Sequence, residues 1–161
     1  DTEFEVYFGN MFLFGISSLV NLANAAGEMS WIKGPIKYKL LAIKKLFTVK
    51  QRKGTIRLDD GDPIDFKLML IAIGIGKSVG GGMLACVNAH PQNDFFDVFI
   101  TTNLSKPRTL IGIQKIFEGE HLKLKGTTYK YAKKVEVELE SPIAMEHDGE
   151  IYDGDISSHV E

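Results

Sequence analysis

The sequence has a single cysteine, Cys86, so no disulfide can close within the chain and cysteine usage gives no sign of secretion. It has no long unbroken hydrophobic run. The most apolar stretch, residues 6–26, is interrupted by Asn10, Ser17, Ser18 and Asn21. A membrane-spanning helix needs about 20 mostly apolar residues in a row. The stretch is preceded by the acidic Asp1-Thr2-Glu3-Phe4-Glu5, whereas a signal peptide opens with a basic region. Asp1 stands where an initiator Met would be, and we expect the chain to be a piece of a longer protein. One segment lacks acid altogether. Residues 33–57 hold nine basic and no acidic side chains, while the remainder holds ten basic and twenty-one acidic ones, so +9 faces −11. Such asymmetry points to an anionic partner for the basic segment.

Several familiar constellations are also missing. Gly76-Lys77-Ser78 would need a glycine five residues earlier to form a phosphate loop, and Ile71 stands there. Gly74-Ile75-Gly76 fails as a dinucleotide fingerprint because Gly80 comes one place too late. Asp59-Asp60-Gly61-Asp62 lacks the alternating ligands and terminal Glu of a calcium loop and reads as a turn. His90, His121, His147 and His159 show no metal-ligand spacing with Cys86. There is no Gly-x-Ser-x-Gly elbow.

What is present reads as a β-rich chain of 161 residues, long enough for one domain with a real core. Thr2 to Phe8, Thr55 to Leu58, Asp65 to Ile73, Met83 to Val87, Phe96 to Thr102, Val135 to Leu139 and Ile143 to Glu146 are the predicted strands. Three helices are expected. The first is capped by Ser17 or Ser18 and carries Leu19, Val20, Leu22 and Ala23. The second opens at Gly34-Pro35. The third starts at Ser105 and Pro107 and ends at Gly119. In the second, Ile36, Leu40, Ile43 and Phe47 share one face, with Lys37, Lys44 and Lys45 elsewhere. That is a basic amphipathic helix, either core-facing with a solvated lysine side or lying on anionic lipid headgroups. The fold class expected is β-rich α+β, an antiparallel β-sandwich with a few short helices.

Two features carry more. Gly80-Gly81-Gly82 breaks the chain between apolar runs, as a turn, a bulge or a place of close approach. Asp148-Gly149-Glu150 follows the last strand, with a glycine that lets carboxylates turn out of the sheet edge. A carboxylate there can accept a hydroxyl proton, help hold Mg²⁺ or simply form an acidic turn.

Taken in order, these pieces resemble one family. Gly80-Gly81-Gly82-Met83-Leu84-Ala85, Asn88-Ala89 and Phe96-Asp97-Val98 are similar to the second domain of the diacylglycerol kinase-like lipid kinases. Phe117-x-Gly119-x-His121, Asp148-Gly149-Glu150, and Asn10 with Gly15 and Ser18 resemble further motifs of that domain, so the resemblance covers roughly residues 8–150. Ile75, Val87 and Asn93-Asp94 depart from its usual Asn, Pro and Asp-Gly, marking a divergent member or a poorly active one. The family's Gly-Gly-Asp-Gly-Thr nucleotide motif is absent from the sequence.

The resemblance implies that residues 1–161 are the carboxy-terminal lipid-substrate domain, without the amino-terminal nucleotide-binding domain. In the two-domain parent, ATP and Mg²⁺ would sit between the domains, and the lipid would enter a cavity within the sandwich. Asp148 would act as general base or organise the metal–nucleotide complex, supported by Glu150. Gly80, Gly81, Gly82, Leu19, Leu40, Ile43 and Phe47 would line the cavity or serve structure. Lys37, Lys44 and Lys45 would meet the membrane. The implied place is cytoplasmic, peripheral at the inner membrane surface. Nucleic acid is not an expected partner, and this piece alone, holding no cofactor, should be inactive. The alternative reading is a non-catalytic lipid-binding or membrane-docking sandwich module.

Overall fold

The computed structural model describes residues 7–49, 51–102, 104–141, 143–152 and 158–160. Nine strands and three α-helices are present among them: β1 (Met11–Gly15), α1 (Ile16–Ala25), α2 (Pro35–Thr48), β2 (Lys53–Leu58), β3 (Ile64–Gly74), β4 (Phe96–Thr102), α3 (Lys106–Glu118), β5 (Thr127–Ala132), β6 (Val135–Leu139), β7 (Met145–His147), β8 (Glu150–Tyr152) and β9 (Ser158–Val160). All pairings are antiparallel. One sheet runs β8-β7-β1-β3-β4-β5, and the other runs β3-β2-β6-β9. The long β3 belongs to both. Its first part pairs β2, and its second part pairs β1 and β4.

Alternation along the strands builds two cores. Phe12, Phe14, Ile71, Ile73, Val98 and Ile100 point inward and meet Ile56, Phe66, Val135 and Val137 of the second sheet. Their neighbours Met11, Leu13, Ala72 and Phe99 point to the opposite face, where α3's Ile116 and the Ala85–Ala89 segment cover them. A register shift between Leu68 and Leu70 breaks the alternation. Leu68 joins the inter-sheet core, while Met69 turns to the helix side, packing with Ile16, Val20, Leu41 and Leu46. Gly15 sits where β1 becomes α1. Its φ is 97°, and a Cβ there would strike the Met69 carbonyl oxygen, so only glycine fits.

The antiparallel sandwich with short helices is the architecture expected. Details differ. Residues 83–87 form no strand beyond the Met83 bridge to Val79, because Leu84 N–H bonds to Ile116 O of α3 and Cys86 N–H to Lys77 O. Gly80-Gly81-Gly82 therefore does not lead into a sandwich strand. It closes a tight hairpin in which Val79 and Met83 exchange backbone hydrogen bonds, with Gly81 and Gly82 at φ 68° and 85°. Neither serine caps α1; Ser18 instead donates to Leu13 O at 3.0 Å. The strand expected over Thr2 to Phe8 lies mostly outside the described residues, and Tyr7 and Phe8 are not in a strand. Strand β1 lies farther along, and β7 runs over Met145–His147 rather than Ile143 to Glu146.

Candidate functional site

Asp148-Gly149 is first of all a hairpin turn. Both residues have positive φ, 48° and 93°, as a two-residue turn between antiparallel strands requires. The turn carries the Asp148 carboxylate to the start of β1. There Oδ1 accepts from the N–H groups of Asn10 (3.0 Å) and Met11 (2.9 Å), and Oδ2 from Gly9 (2.6 Å). Burial alone would raise the Asp148 pKa, but the N–H groups of Gly9, Met11 and Asn10 outweigh it and hold the carboxyl below its usual range. A carboxylate offers about four lone-pair sites, so one remains, on Oδ2. Asn10 ties in a third element. Its carbonyl accepts from Ile75 and Gly76, its side chain donates to Ser78 O, and a Cβ on Gly76 would strike its Oδ1. Three stretches distant in sequence thus converge on one point.

A polar cleft opens beside them, lined by Asn10, Asn21, Asn24, Tyr38, Glu146 and Asp148 among others. It adjoins an apolar cavity. Asn21, Tyr38 and Val79 line both. The cavity does not lie between the two sheets, as expected, because large side chains fill that space. It lies on the opposite face, between Leu13, Leu70 and Phe99 of the first sheet and Val20, Ala42 and Ile113 of the three helices. The residues singled out beforehand are not in its lining. Leu19 and Ile43 are half-buried, and Leu40 and Phe47 point outward, 37% and 60% exposed. On α2 the buried positions are Leu41 and Leu46, so the stripe Ile36-Leu40-Phe47 faces solvent. Of the three glycines only Gly80 reaches the cleft.

His121 is buried in the cavity lining, edge-on to Phe99. Its Nε2 donates to Ala85 O at 3.0 Å, and since a carbonyl only accepts, Nε2 carries the proton. Burial lowers its pKa, keeping the ring neutral. Asp97 is buried as well, hydrogen-bonded by the Tyr129 hydroxyl, and burial raises its pKa. His121 thus anchors Ala85, while Cys86 and Asn88 of the same segment donate to Asp97 O and the Tyr129 hydroxyl.

Glu146 is the residue that sequence reasoning missed. It is 2% exposed, and burial raises its pKa, opposed by a hydrogen bond from Asn21. Its only signal was a charged residue in an apolar strand. Tyr38 and Asp148 share the cleft with it, and His147 and Glu150 lie on the same hairpin. Burial here penalises the ionised form in the fold. The associated stability is full at low pH and lost as pH rises through the raised folded-state pKa. Replacing Glu146 with Gln should therefore raise Tm at pH 8, with the gain shrinking toward pH 4. A gain that grows on acidification would contradict this sign.

Glu150 is exposed at the hairpin's edge, its Oε2 3.9 Å from His147 Nε2. Among the described residues no three His, Cys, Asp or Glu side chains converge to hold a metal. Lys44 and Lys45 both reach Glu28, at 2.6 and 2.8 Å, and hold its pKa at about 2. Two of the three lysines assigned to a membrane are thus engaged within the chain.

Comparison with known proteins gives a consistent answer. Residues 11–160 match the family model for the YegS C-terminal NAD kinase β-sandwich-like domain. Proteins named diacylglycerol kinase in two Mycobacterium tuberculosis strains, CDC 1551 / Oshkosh and H37Rv, are 30% identical over 138 residues, covering 86% of this chain and 44% of theirs. The crystal structure of a diacylglycerol kinase from Bacillus anthracis has a TM-score of 0.53 at 17% identity, covering 94% of this chain and 43% of its own. Two further structures from that organism reach 0.58 and 0.55 at 20% and 21% identity, covering 95% of this chain and 47% and 48% of theirs. The structural likenesses show the fold. The chain spans less than half the length of these relatives.

Proposed function

The chain belongs to the YegS C-terminal domain family of diacylglycerol kinase-like proteins, and on that premise we propose that it is the lipid-substrate half of an ATP-dependent lipid kinase. The reaction would move the γ-phosphoryl group of ATP to a diacylglycerol-like hydroxyl. One observation carries this reading: an apolar cavity beneath the helices shares a wall with a polar cleft holding Glu146 and Asp148. A lipid with its tails beneath the helices would present its head group to those carboxylates.

Of the two roles foreseen for Asp148, its three N–H bonds favour organisation. They weaken it as a base, while the remaining Oδ2 lone pair can orient a hydroxyl or a metal-bound water. The described residues do not themselves form a Mg²⁺ site, so Mg²⁺ and ATP would be held mainly by a nucleotide-binding domain outside this chain. Glu150 would stand at the exposed rim facing that domain. Phosphoryl transfer relies chiefly on positioning and charge neutralisation, which two domains closing on one lipid can supply. The 161-residue piece alone should transfer no phosphate; turnover by the pure piece would contradict the two-domain account.

The second reading, a lipid-binding module without catalysis, is favoured by the structural bonds that alone account for Asp148. A Gly-Gly-Asp-Gly-Thr segment encoded upstream of Asp1 would decide for the kinase, and its absence for the module.

Membrane docking follows the exposed stripe. Ile36, Leu40 and Phe47 on α2 are exposed, as are Leu110 and Ile111 on the adjoining α3, and Lys106 spans the two by donating to Phe47 O. No helix among the described residues is long and apolar enough to cross a membrane. An apolar row edged by lysines suits the headgroup boundary instead. Phe47→Glu with Ile36→Glu should weaken binding to phosphatidylglycerol vesicles by about 10-fold or more. Lys44→Gln should matter less than Lys37→Gln, because Glu28 already engages Lys44. Vesicle binding untouched by the double substitution would reject this face.

A further inference from the structure

We propose that Glu146, held by Asn21, accepts the hydrogen bond of the acceptor lipid's hydroxyl and takes its proton during transfer. This rests on the lipid-kinase reading above and assigns the chemical step within it.

The position is anomalous for a structural residue. Glu146 pairs with Leu13 across β7 and β1, and cross-strand partners share a sheet face. Leu13 faces the helices and the apolar cavity. Met145 lies in the inter-sheet core and His147 stacks on Phe12, so the hairpin's other face is the one packed with large groups. A carboxylate has thus been placed where the pattern calls for an apolar side chain. It is 2% exposed, and its hydrogen-bond partner is Asn21 Nδ2 at 2.5 Å, a neutral group. Among the described residues, no lysine or arginine lines the polar cleft. An uncompensated buried carboxylate is expensive, and a glutamine would satisfy Asn21 equally well.

The location explains the expense. Asn21 sits on the shared wall of cavity and cleft, so Glu146 stands where a lipid's apolar tails give way to its head group. Asp148 serves the same end less well, since three N–H groups already draw on its lone pairs and leave one on Oδ2. Burial raises the proton affinity of Glu146, whereas that of Asp148 is lowered. The pair divides the work: Asp148 fixes the β1 end of the cleft, and Glu146 receives the proton. In the step, the hydroxyl oxygen bonds to the terminal phosphorus of a nucleoside triphosphate. The bond from that phosphorus to the bridging oxygen breaks, and the nucleoside diphosphate leaves with the electron pair. The hydroxyl proton passes to the Glu146 carboxylate.

The test uses the full-length protein and two glycerides, 1,2-dioctanoylglycerol and its 3-acetyl ester, compared by calorimetric binding. The wild type should bind the free hydroxyl about 10-fold more tightly, the scale of one hydrogen bond to a charged acceptor. Glu146→Leu should erase that preference. Glu146→Gln should keep part of it while turnover of dioctanoylglycerol falls about 100-fold or more. Equal affinity of the wild type for the two glycerides, or no binding of either, overturns the proposal without recourse to any variant. So does wild-type turnover in Glu146→Gln. A wild type that prefers the free hydroxyl yet transfers no phosphate would sink the kinase reading and leave the hydroxyl assigned to Glu146.

Discussion

Asp148→Asn in the full-length protein should lower lipid phosphorylation by about 100-fold or more, the scale expected when positioning at the reacting centre is lost. It should also cost stability. Asparagine tolerates the positive φ of this turn, so the backbone survives. An amide, however, has one acceptor oxygen where the carboxylate has two. Its NH₂ group would confront either the Gly9 N–H or those of Asn10 and Met11. Leaving such donors poorly satisfied costs about 1–3 kcal/mol. The geometry predicts that activity and Tm fall together. The wild-type contribution has a definite pH dependence. The Asp148 pKa is lowered in the fold, so its stabilisation is full above the unfolded carboxylate pKa and is lost as pH falls through the folded value. The Tm difference between wild type and Asp148→Asn should therefore narrow in acid. Wild-type turnover with an unchanged Tm would return Asp148 to an incidental turn residue.

Ala42→Trp should abolish lipid binding while leaving nucleotide binding alone. Ala42 lines the apolar cavity from α2, beside Tyr38 and Lys39. An indole there occupies the volume that acyl chains would take. Overpacking costs typically about 1–3 kcal/mol, so folding should withstand it. The expected result is a dioctanoylglycerol affinity reduced about 100-fold or more, by loss of apolar burial worth roughly 25 cal/mol per Å². The contrasting variant is Phe12→Ala in the inter-sheet core. It should destabilise by about 3–5 kcal/mol without selectively closing the lipid site. Lipid binding that survives Ala42→Trp would place the acyl chains elsewhere.

How much of this was legible beforehand depended on the range of the signal. The alternation of Val135 to Leu139 and the Gly119 stop of α3 act locally, and both elements form as expected. Gly119 takes φ 71° at the helix end, as a left-handed cap should. Strand β1 was hidden because all five of its residues are buried, on two faces that each carry a core. It shows no alternation, and its apolar run merges with that of α1. The Ile36-Leu40-Ile43-Phe47 stripe misled for the opposite reason. Its spacing is helical, but Leu41 and Leu46 supply the buried face of α2. A helix with apolar residues on two sides does not declare which side is inward.

The candidate site was partly legible. Asp148, Gly76 and Asn10 were each noted along the chain, but their convergence depends on long-range pairing. Glu146 could be recognised only once its strand was paired with Leu13 and Asn21 came within reach. The membrane lysines show the same limit. Glu28 lies outside the acid-free segment in sequence, yet it meets Lys44 and Lys45 in space.

The central claim is that this domain presents a lipid hydroxyl for phosphorylation. The direct measurement is transfer of labelled γ-phosphate from ATP, with Mg²⁺, by the full-length protein to a panel of diacylglycerol, sphingoid base and ceramide. The account predicts label on a diacylglycerol-like hydroxyl, reduced to background in Asp148→Asn and Ala42→Trp. A protein that binds these lipids but labels none of them would contradict it.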